Sequence, residues 1–173
     1  MKSVLISIKP KWCEKIARGE KTIEVRKTAP KETPFKAYIY ETKGATETPW
    51  VDEDGHFIYK GRGQVIGEFI CDYVEDFTPS EYGIRFKRFT ALHETCLTVA
   101  EMREYANGKP LYGWHISDLK IYDKPKELSE FINPCSRVKC ISGCKDMKIE
   151  HAECLNKNKR HITRPPQSWQ YLY

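Results

Sequence analysis

The sequence predicts an α+β fold: a small, mixed, mainly antiparallel β-barrel of about five or six strands with short flanking helices. Three observations support this prediction. Apolar residues alternate at period two over short runs, which is typical of half-buried strands. Turn residues or single short helices separate these runs, which argues against a doubly wound parallel sheet. The chain has 173 residues, so we expect residues 1–173 to form one domain.

The first predicted elements are a strand at Val4–Ile8 and a helix at residues 10–18. Pro10 suits the first helical position, where its missing N–H has no partner to lose. Gly19 stands where a left-handed residue ends a helix. The helix is amphipathic, as expected of a helix that packs on a sheet, and its apolar face carries Trp12, Cys13, Ile16 and Ala17.

A second strand is predicted immediately after this helix, over Thr22–Arg26. Its period-two alternation sends Glu24 and Arg26 to the same face of the strand. Lys21 lies at the mouth of the preceding turn. We therefore expect these three charged side chains to converge beside the helix end, either as a binding site or as a structural salt-bridge network.

The middle of the chain contains two further strands, at Phe35–Glu41 and within residues 64–74. Gly67 interrupts the second of them and indicates a bulge or a close approach of another segment. The polar residues 42–63 lie between the two, and the turn-forming Asp52–Gly55 is suited to a small hairpin.

The last third of the chain mixes helix and strand signals. Capping-box spacings at Thr78–Glu81 and Thr98–Glu101 predict two helix starts, and Gly108 is expected to end the second helix. A strand is predicted at Leu111–Tyr122, followed by a short helical turn within Pro125–Phe131. Residues 168–173 form the closing strand.

Charge is segregated along the chain. The net charge is +6 over residues 1–36, −6 over 37–132 and +5 over 133–173. Such segregation indicates one positive face and a polyanionic partner; the alternative is chance clustering on a solvated surface. The sequence contains no apolar run of about 18 residues and no signal-peptide pattern, so we expect a cytoplasmic protein that does not span a membrane.

The segment Gly19–Arg26, which reads GEKTIEVR, matches the pattern G-x-K-x-x-E-x-R. This pattern resembles the signature of the ASCH family, a branch of the PUA-like β-barrels. Five further segments resemble that family in the same order: Ser7–Pro10, Tyr38–Glu41, Val65–Phe69, Tyr112–Ile116 and Pro166–Trp169. The resemblance implies a PUA-like barrel in which the motif lines a ligand cleft.

The first functional hypothesis is an RNA- or nucleotide-binding domain. The expected cleft is formed by Lys9, Lys21, Glu24, Arg26 and Tyr40. Single-stranded nucleic acids bind where aromatic rings accompany a basic track. Most aromatic residues here are expected in the core, and Tyr40, at a strand end near the motif, is the preferred stacking residue. Single-stranded RNA, or a nucleotide or nucleoside, is therefore the expected partner.

Two other functions remain open. A small bacterial branch of the ASCH family hydrolyses the amide of N4-acylated cytidine with a Lys, a Thr and a later Glu. Lys21 matches that Lys, whereas Glu24 stands where that branch has Thr, and Glu68 could supply the later carboxylate. Burial beside Arg26 would lower the pKa of Lys21 and favour such catalysis. The third hypothesis is a protein-interaction module.

A Cys-rich basic stretch at about residues 133–165 precedes the last strand. Four of the seven cysteines lie in it, with spacings that lack the paired CxxC of common zinc sites: Cys135, Cys140, Cys144 and Cys154. These residues could hold a structural zinc ion; the alternative is a loop with free thiols. No other cofactor is expected to be required.

Overall fold

Two β-sheets, of five and three strands, form the framework of the computed structural model. The structure describes residues 1–51, 57–80, 83, 84, 86, 90–133 and 161–172. The strands are β1 (Lys2–Ile8), β2 (Ile23–Arg26), β3 (Phe35–Glu41), β4 (Ala45–Val51), β5 (Phe57–Lys60), β6 (Val65–Cys71), β7 (Val74–Asp76), β8 (Pro79–Ser80), β9 (Gly83–Ile84), β10 (Tyr112–His115), β11 (Ser117–Lys126) and β12 (Trp169–Leu172). The helices are α1 (Pro10–Ala17), α2 (Ala91–Glu94) and α3 (Val99–Ala106), with a 3-10 turn at Leu128–Glu130.

Antiparallel pairing predominates in both sheets. The large sheet has the strand order β11-β6-β3-β1-β12, and the pairing of β1 with β3 is parallel. The small sheet has the order β2-β10-β7 and is antiparallel throughout. Two-stranded ribbons are formed by β4 with β5 and by β8 with β9. The prediction of a small, mixed, mainly antiparallel α+β fold is confirmed.

The predicted barrel is wrong in one respect: within the described ranges, the strands do not close into a single hydrogen-bonded barrel. A single barrel requires the predicted strands at residues 22–26 and 64–74 to lie in one sheet, but β2 belongs to the small sheet and β6 to the large one. The cause is a change of sheet at two bends, between β6 and β7 and between β10 and β11. Strands that bend in this way form the corners between packed sheets.

The two bends are hydrogen-bonded to neighbouring segments. His115 N–H donates to the carbonyl of Tyr73 (3.1 Å), and Ile116 N–H donates to the carbonyl of Thr22 (2.9 Å). The predicted strand Leu111–Tyr122 is therefore two strands, divided at Ile116. Because the chain turns at this residue, β10 reaches β2 while β11 reaches β6.

The two predicted capping boxes have different outcomes. Thr98 caps α3: its hydroxyl accepts a bond from Glu101 N–H (3.2 Å), and the Glu101 carboxylate accepts one from Thr98 N–H (2.7 Å). Asn107, in the left-handed conformation at φ 46°, ends this helix one residue before Gly108. The helix expected to start at Thr78 is wrong, because Pro79–Ser80 is a strand.

Hydrophobic clusters cover both faces of the large sheet. One cluster lies under α1 and includes Cys13 and Ile16 of that helix together with Phe35 of β3. The opposite face packs a second cluster that contains Tyr40 and Phe131. A third cluster lies between the small sheet and the helices α2 and α3. Among the described residues, no helix is long and apolar enough to cross a membrane.

Candidate functional site

The site is built at the junction between α1 and β2. Gly19 adopts a φ of +74° after the helix, so the chain turns back sharply. In this turn the N–H groups of Glu20 and Lys21 both donate to the carbonyl of Lys15, at 2.9 and 3.0 Å. The exposed side chains of Lys15 and Glu20 form an ion pair at 2.8 Å. The turn thereby fixes the direction in which the chain enters β2.

The structure brings Lys21, Glu24 and Arg26 together, and we call these three residues the charged triad. Glu24 bridges the two cations: Lys21 Nζ lies 3.5 Å from its Oε2 and Arg26 Nη2 lies 3.0 Å from its Oε1. Lys21 Nζ also donates to the carbonyl of Thr95 at 2.6 Å, and Arg26 Nη2 donates to the carbonyl of Ser7 at 2.5 Å. The convergence predicted from the sequence is confirmed.

The triad is almost fully buried instead of lining an open cleft. The exposed fractions of the three side chains are 2 % for Lys21, 7 % for Glu24 and 9 % for Arg26. Burial lowers the pKa of Lys21, and the Glu24 carboxylate opposes this shift. Arg26 Nε is buried and has no hydrogen-bond partner among the described residues. This nitrogen of the guanidinium is therefore unpaired in the described part of the chain, although the Tyr105 hydroxyl interacts with Arg26.

Two partly exposed aromatic side chains lie next to the triad. The ring of Trp12 has Lys21 Nζ at 5.1 Å and Lys11 Nζ at 4.4 Å from its centroid. Tyr105 of α3 is 39 % exposed. Burial raises the pKa of its hydroxyl, and the charge of Arg26 opposes that shift. Both rings are within electrostatic range of the triad and reach the surface, as a stacking contact requires.

Sequence reasoning missed two further charged residues of this site, Glu41 and Arg62. Burial raises the pKa of the Cys13 thiol well above its ordinary value; Glu41 and Glu24 add to this shift, while Arg26 and Arg62 oppose it. All four charges therefore act on this one buried thiol. The signal for Glu41 was present in the sequence, because period-two alternation puts Glu41 on the α1 face of β3.

The same alternation explains why Tyr40 does not join the triad. Tyr40 is 4 % exposed and packs with Leu5, Val65 and Phe131 on the opposite face of the large sheet. Neighbouring residues of a strand point to opposite faces, so a Glu41 that faces α1 requires Tyr40 to face away. The expected stacking role of Tyr40 beside the triad does not agree with this position.

Glu68 is also distant from the triad in the fold. It pairs with Tyr38 across β3 and β6, on the face that packs Tyr40. Lys36 Nζ binds its Oε1 at 2.8 Å, and the Tyr122 hydroxyl donates to its Oε2 at 2.5 Å. Glu68 therefore belongs to a separate, satisfied network. Lys9 is exposed at the N-terminal end of α1, where its carbonyl accepts bonds from the first helical turn.

A cavity of about 270 Å³ lies on the face opposite to α1 and does not include the triad. Its lining combines polar and apolar side chains: Ser3, Tyr38, Lys126, Glu130, Phe131, Ile132 and Leu172. The charged triad therefore occupies an enclosed place in the fold, outside this cavity.

The predicted zinc ligands Cys135, Cys140, Cys144 and Cys154 lie outside the described residues. Within the described part of the chain, no group of three or more His, Cys, Asp or Glu side chains is arranged to hold a metal ion. Cys13, Cys71 and Cys96 are free thiols. The zinc site stays a prediction.

The fold and the triad together define an α+β protein with a buried charged motif between a short helix and two sheets, and solved structures share this fold. Across 99 % of its length, the chain is similar to the crystal structure of an ASCH protein from Zymomonas mobilis, with 19 % identity, a TM-score of 0.59 and 88 % of that chain covered. A Tyr-to-Phe mutant of that protein matches at 18 % identity and a TM-score of 0.60, over 100 % of this chain and 91 % of the other. A Ser-to-Ala mutant of the same protein matches at 18 % identity with a TM-score of 0.57, over 99 % of this chain and 89 % of the other.

The chain therefore has an ASCH-domain fold, as its resemblance to that family implied. No protein-family model and no curated protein matches the chain. At such low sequence identity the structural similarity concerns the fold, so function has to be argued from the residues of this chain.

Proposed function

We propose that this protein binds RNA or a nucleotide at the charged triad. One observation carries the proposal: two buried cations face one buried carboxylate. When Lys21 is protonated, the triad has a net positive charge, and Arg26 Nε has no acceptor in the described structure. A phosphate group of a ligand would supply both the missing charge and the missing acceptor.

A phosphate ligand would be energetically favoured, because a buried charge without a full set of partners is costly. Burial, and to a smaller extent the charge of Arg26, lowers the pKa of Lys21. An anion bound beside Lys21 would favour the charged ammonium and raise this pKa again. Arg guanidinium groups suit phosphate particularly well, because their planar donors bind two oxygens at once. Both cations of the triad thus favour a phosphate ligand.

The surroundings of the triad support a nucleic-acid ligand over a simple anion. Trp12 and Tyr105 present aromatic rings on which a base could stack, and such stacking contributes about 1–3 kcal/mol per base. Lys9 and Lys11 lie in the same short segment. The basic first 36 residues, with a net charge of +6, extend the positive surface along which a strand could run.

The proposal is tested by fluorescence anisotropy with a labelled single-stranded RNA oligonucleotide. We expect binding that weakens steeply with salt, and we expect charge reversal at Lys9 or Lys21 to weaken it more than reversal at Lys120 or Lys124. Equal losses at both pairs of positions would show non-specific attraction. No salt-dependent binding by the folded wild-type protein would contradict the proposal.

Measuring the RNA affinity as a function of pH distinguishes binding at Lys21 from general charge attraction. If the bound phosphate raises the pKa of Lys21, binding takes up a proton, and affinity falls as pH rises through the pKa of the free protein. Lys21→Met removes the titrating group and should abolish this dependence, whereas Lys120→Met should preserve it. Circular dichroism establishes that each variant is folded.

The lowered pKa of Lys21 favours one second candidate, an amidohydrolase that acts on an N4-acylated cytidine. A neutral lysine is a better base or nucleophile than an ammonium, and Glu24 would then assist Lys21. Turnover of an acylated cytidine, followed chromatographically, tests this candidate, and its loss in Lys21→Met would support it. If neither binding nor turnover is detected, the protein-interaction module is favoured.

A further inference from the structure

Two glycines determine the conformation of the turn formed by Gly61, Arg62 and Gly63, which we call the Gly-Arg-Gly turn. Gly63 has a φ of +70°, a conformation that other residues rarely adopt. A Cβ on Gly61 would lie 1.8 Å from the carbonyl oxygen of Thr42 and 2.6 Å from Pro10 Cγ. The turn therefore packs its backbone against the end of β3 and the start of α1.

Between these glycines, Arg62 is anchored by its backbone. Its N–H donates to Glu41 Oε2 at 2.7 Å, and Glu41 is only 14 % exposed. The guanidinium is less constrained, because Nε lies 4.0 Å from the same oxygen and the side chain is 63 % exposed. In the described part of the chain, Glu41 is the only carboxylate within ion-pair distance of Arg62. The arrangement fixes the base of the side chain and leaves most guanidinium donors at the surface.

The Gly-Arg-Gly turn lies next to the charged triad. Strand pairing supports this position: Arg26 Nη2 donates to the carbonyl of Ser7, and the next residue, Ile8, pairs with Glu41, whose carboxylate accepts the Arg62 N–H. The charges of all four residues also act on the buried Cys13 thiol. Lys43 contributes another exposed cation: a Cβ on Gly63 would lie 2.3 Å from Lys43 Cε, so the lysine stem lies across this glycine. Arg62 and Lys43 thus give the turn two exposed cations.

We propose that Arg62 is a phosphate-binding arm that holds the RNA backbone next to the charged triad, an inference that rests on the proposed function. The ligand class is a single-stranded RNA of at least two nucleotides, with one phosphate at the triad and the neighbouring backbone phosphate at Arg62. An exposed guanidinium on a fixed backbone suits this role, because its planar donors bind two phosphate oxygens and little backbone freedom is lost on binding.

The experiment measures RNA affinity as a function of salt for the wild type, Arg62→Ala, Arg62→Lys and the control Lys120→Ala. For a single strand, each phosphate contact contributes about −0.7 to the slope of log affinity against log salt. Arg62→Ala should flatten the slope by about 0.7 and weaken binding several-fold at low salt. Arg62→Lys should keep most of the slope, and Lys120→Ala should equal the wild type.

A mononucleotide separates this inference from the proposed function. It has no neighbouring backbone phosphate, so Arg62→Ala should weaken its binding much less than that of the oligonucleotide, whereas Lys21→Met should weaken the binding of both. If the wild type binds the oligonucleotide and Arg62→Ala has the same slope, the role of Arg62 is refuted and the proposed function stands. If the folded wild type binds neither ligand, both are refuted. Thermal melting of Arg62→Ala reveals any loss of structure.

Discussion

Replacing Glu24 with Gln tests whether one carboxylate holds the buried triad together. The substitution keeps the shape of the side chain and removes its charge, so Lys21 and Arg26 become two buried cations without a carboxylate between them. At the observed separations of 3.5 and 3.0 Å, each pair has about 5 kcal/mol of Coulomb attraction at an effective dielectric constant of about 20. Desolvation offsets part of this attraction, and removing one partner of a buried pair costs about 3–5 kcal/mol.

Urea denaturation followed by tryptophan fluorescence measures this loss. We expect Glu24→Gln to lower the free energy of unfolding by about 3–5 kcal/mol. The control is Glu20→Gln, the same chemical change in the exposed pair with Lys15, where we expect a much smaller loss because solvent screens the pair. Adding Lys21→Met to Glu24→Gln should recover part of the stability, because it removes one of the unpaired charges.

The pH dependence of the loss identifies its cause. Burial holds the pKa of Lys21 in the folded protein below its ordinary value of 10.5. Between the folded-state pKa and 10.5 the unfolded chain binds more protons than the folded protein, so the free energy of unfolding rises with pH. Glu24→Gln lowers the folded-state pKa further. Its destabilisation should therefore be largest near neutral pH and smaller as pH approaches 10.5. A loss equal to that of Glu20→Gln at every pH would refute the reasoning that Glu24 compensates buried charge.

Three other predictions concern packing, thiols and metal. Gly67→Ala should lower the free energy of unfolding by about 1–3 kcal/mol, because the added Cβ would lie 2.6 Å from a carbonyl oxygen of β11. Gly44→Ala is the control in the same urea assay and should be nearly neutral, because the nearest atom to its added Cβ is 3.7 Å away. Burial raises the pKa of Cys71 to about 12 and that of Cys13 well above its ordinary value, so neither should be alkylated at about pH 8 until the chain is unfolded, as peptide mass mapping would show. Elemental analysis tests the possible zinc site: stoichiometric zinc that is lost in Cys140→Ser and Cys144→Ser would support it, and metal-free protein would favour a loop with free thiols.

The sequence was sufficient to predict features that depend on neighbouring residues. Alternation at period two located the strands, and the Pro10 and Gly19 signals bounded α1, which spans Pro10–Ala17. The convergence of the triad was predictable because a turn and one strand face place its members within six residues of each other. The capping box of α3 is likewise a local pattern that the structure confirms.

Only the tertiary structure decided how these elements are enclosed. The carbonyl that binds Lys21 belongs to Thr95, which is 74 positions away in the sequence, and the bends at Tyr73 and Ile116 determine which sheet each strand joins. The turn that carries Arg62 lies against the start of α1 because Gly61 packs on Thr42 and Pro10. Local spacing sets which face a side chain points to, whereas burial and distant partners depend on how the two sheets and α3 pack over that face. For this reason the sequence alone determined the members of the charged triad, and the packing of distant segments determined that the triad is buried.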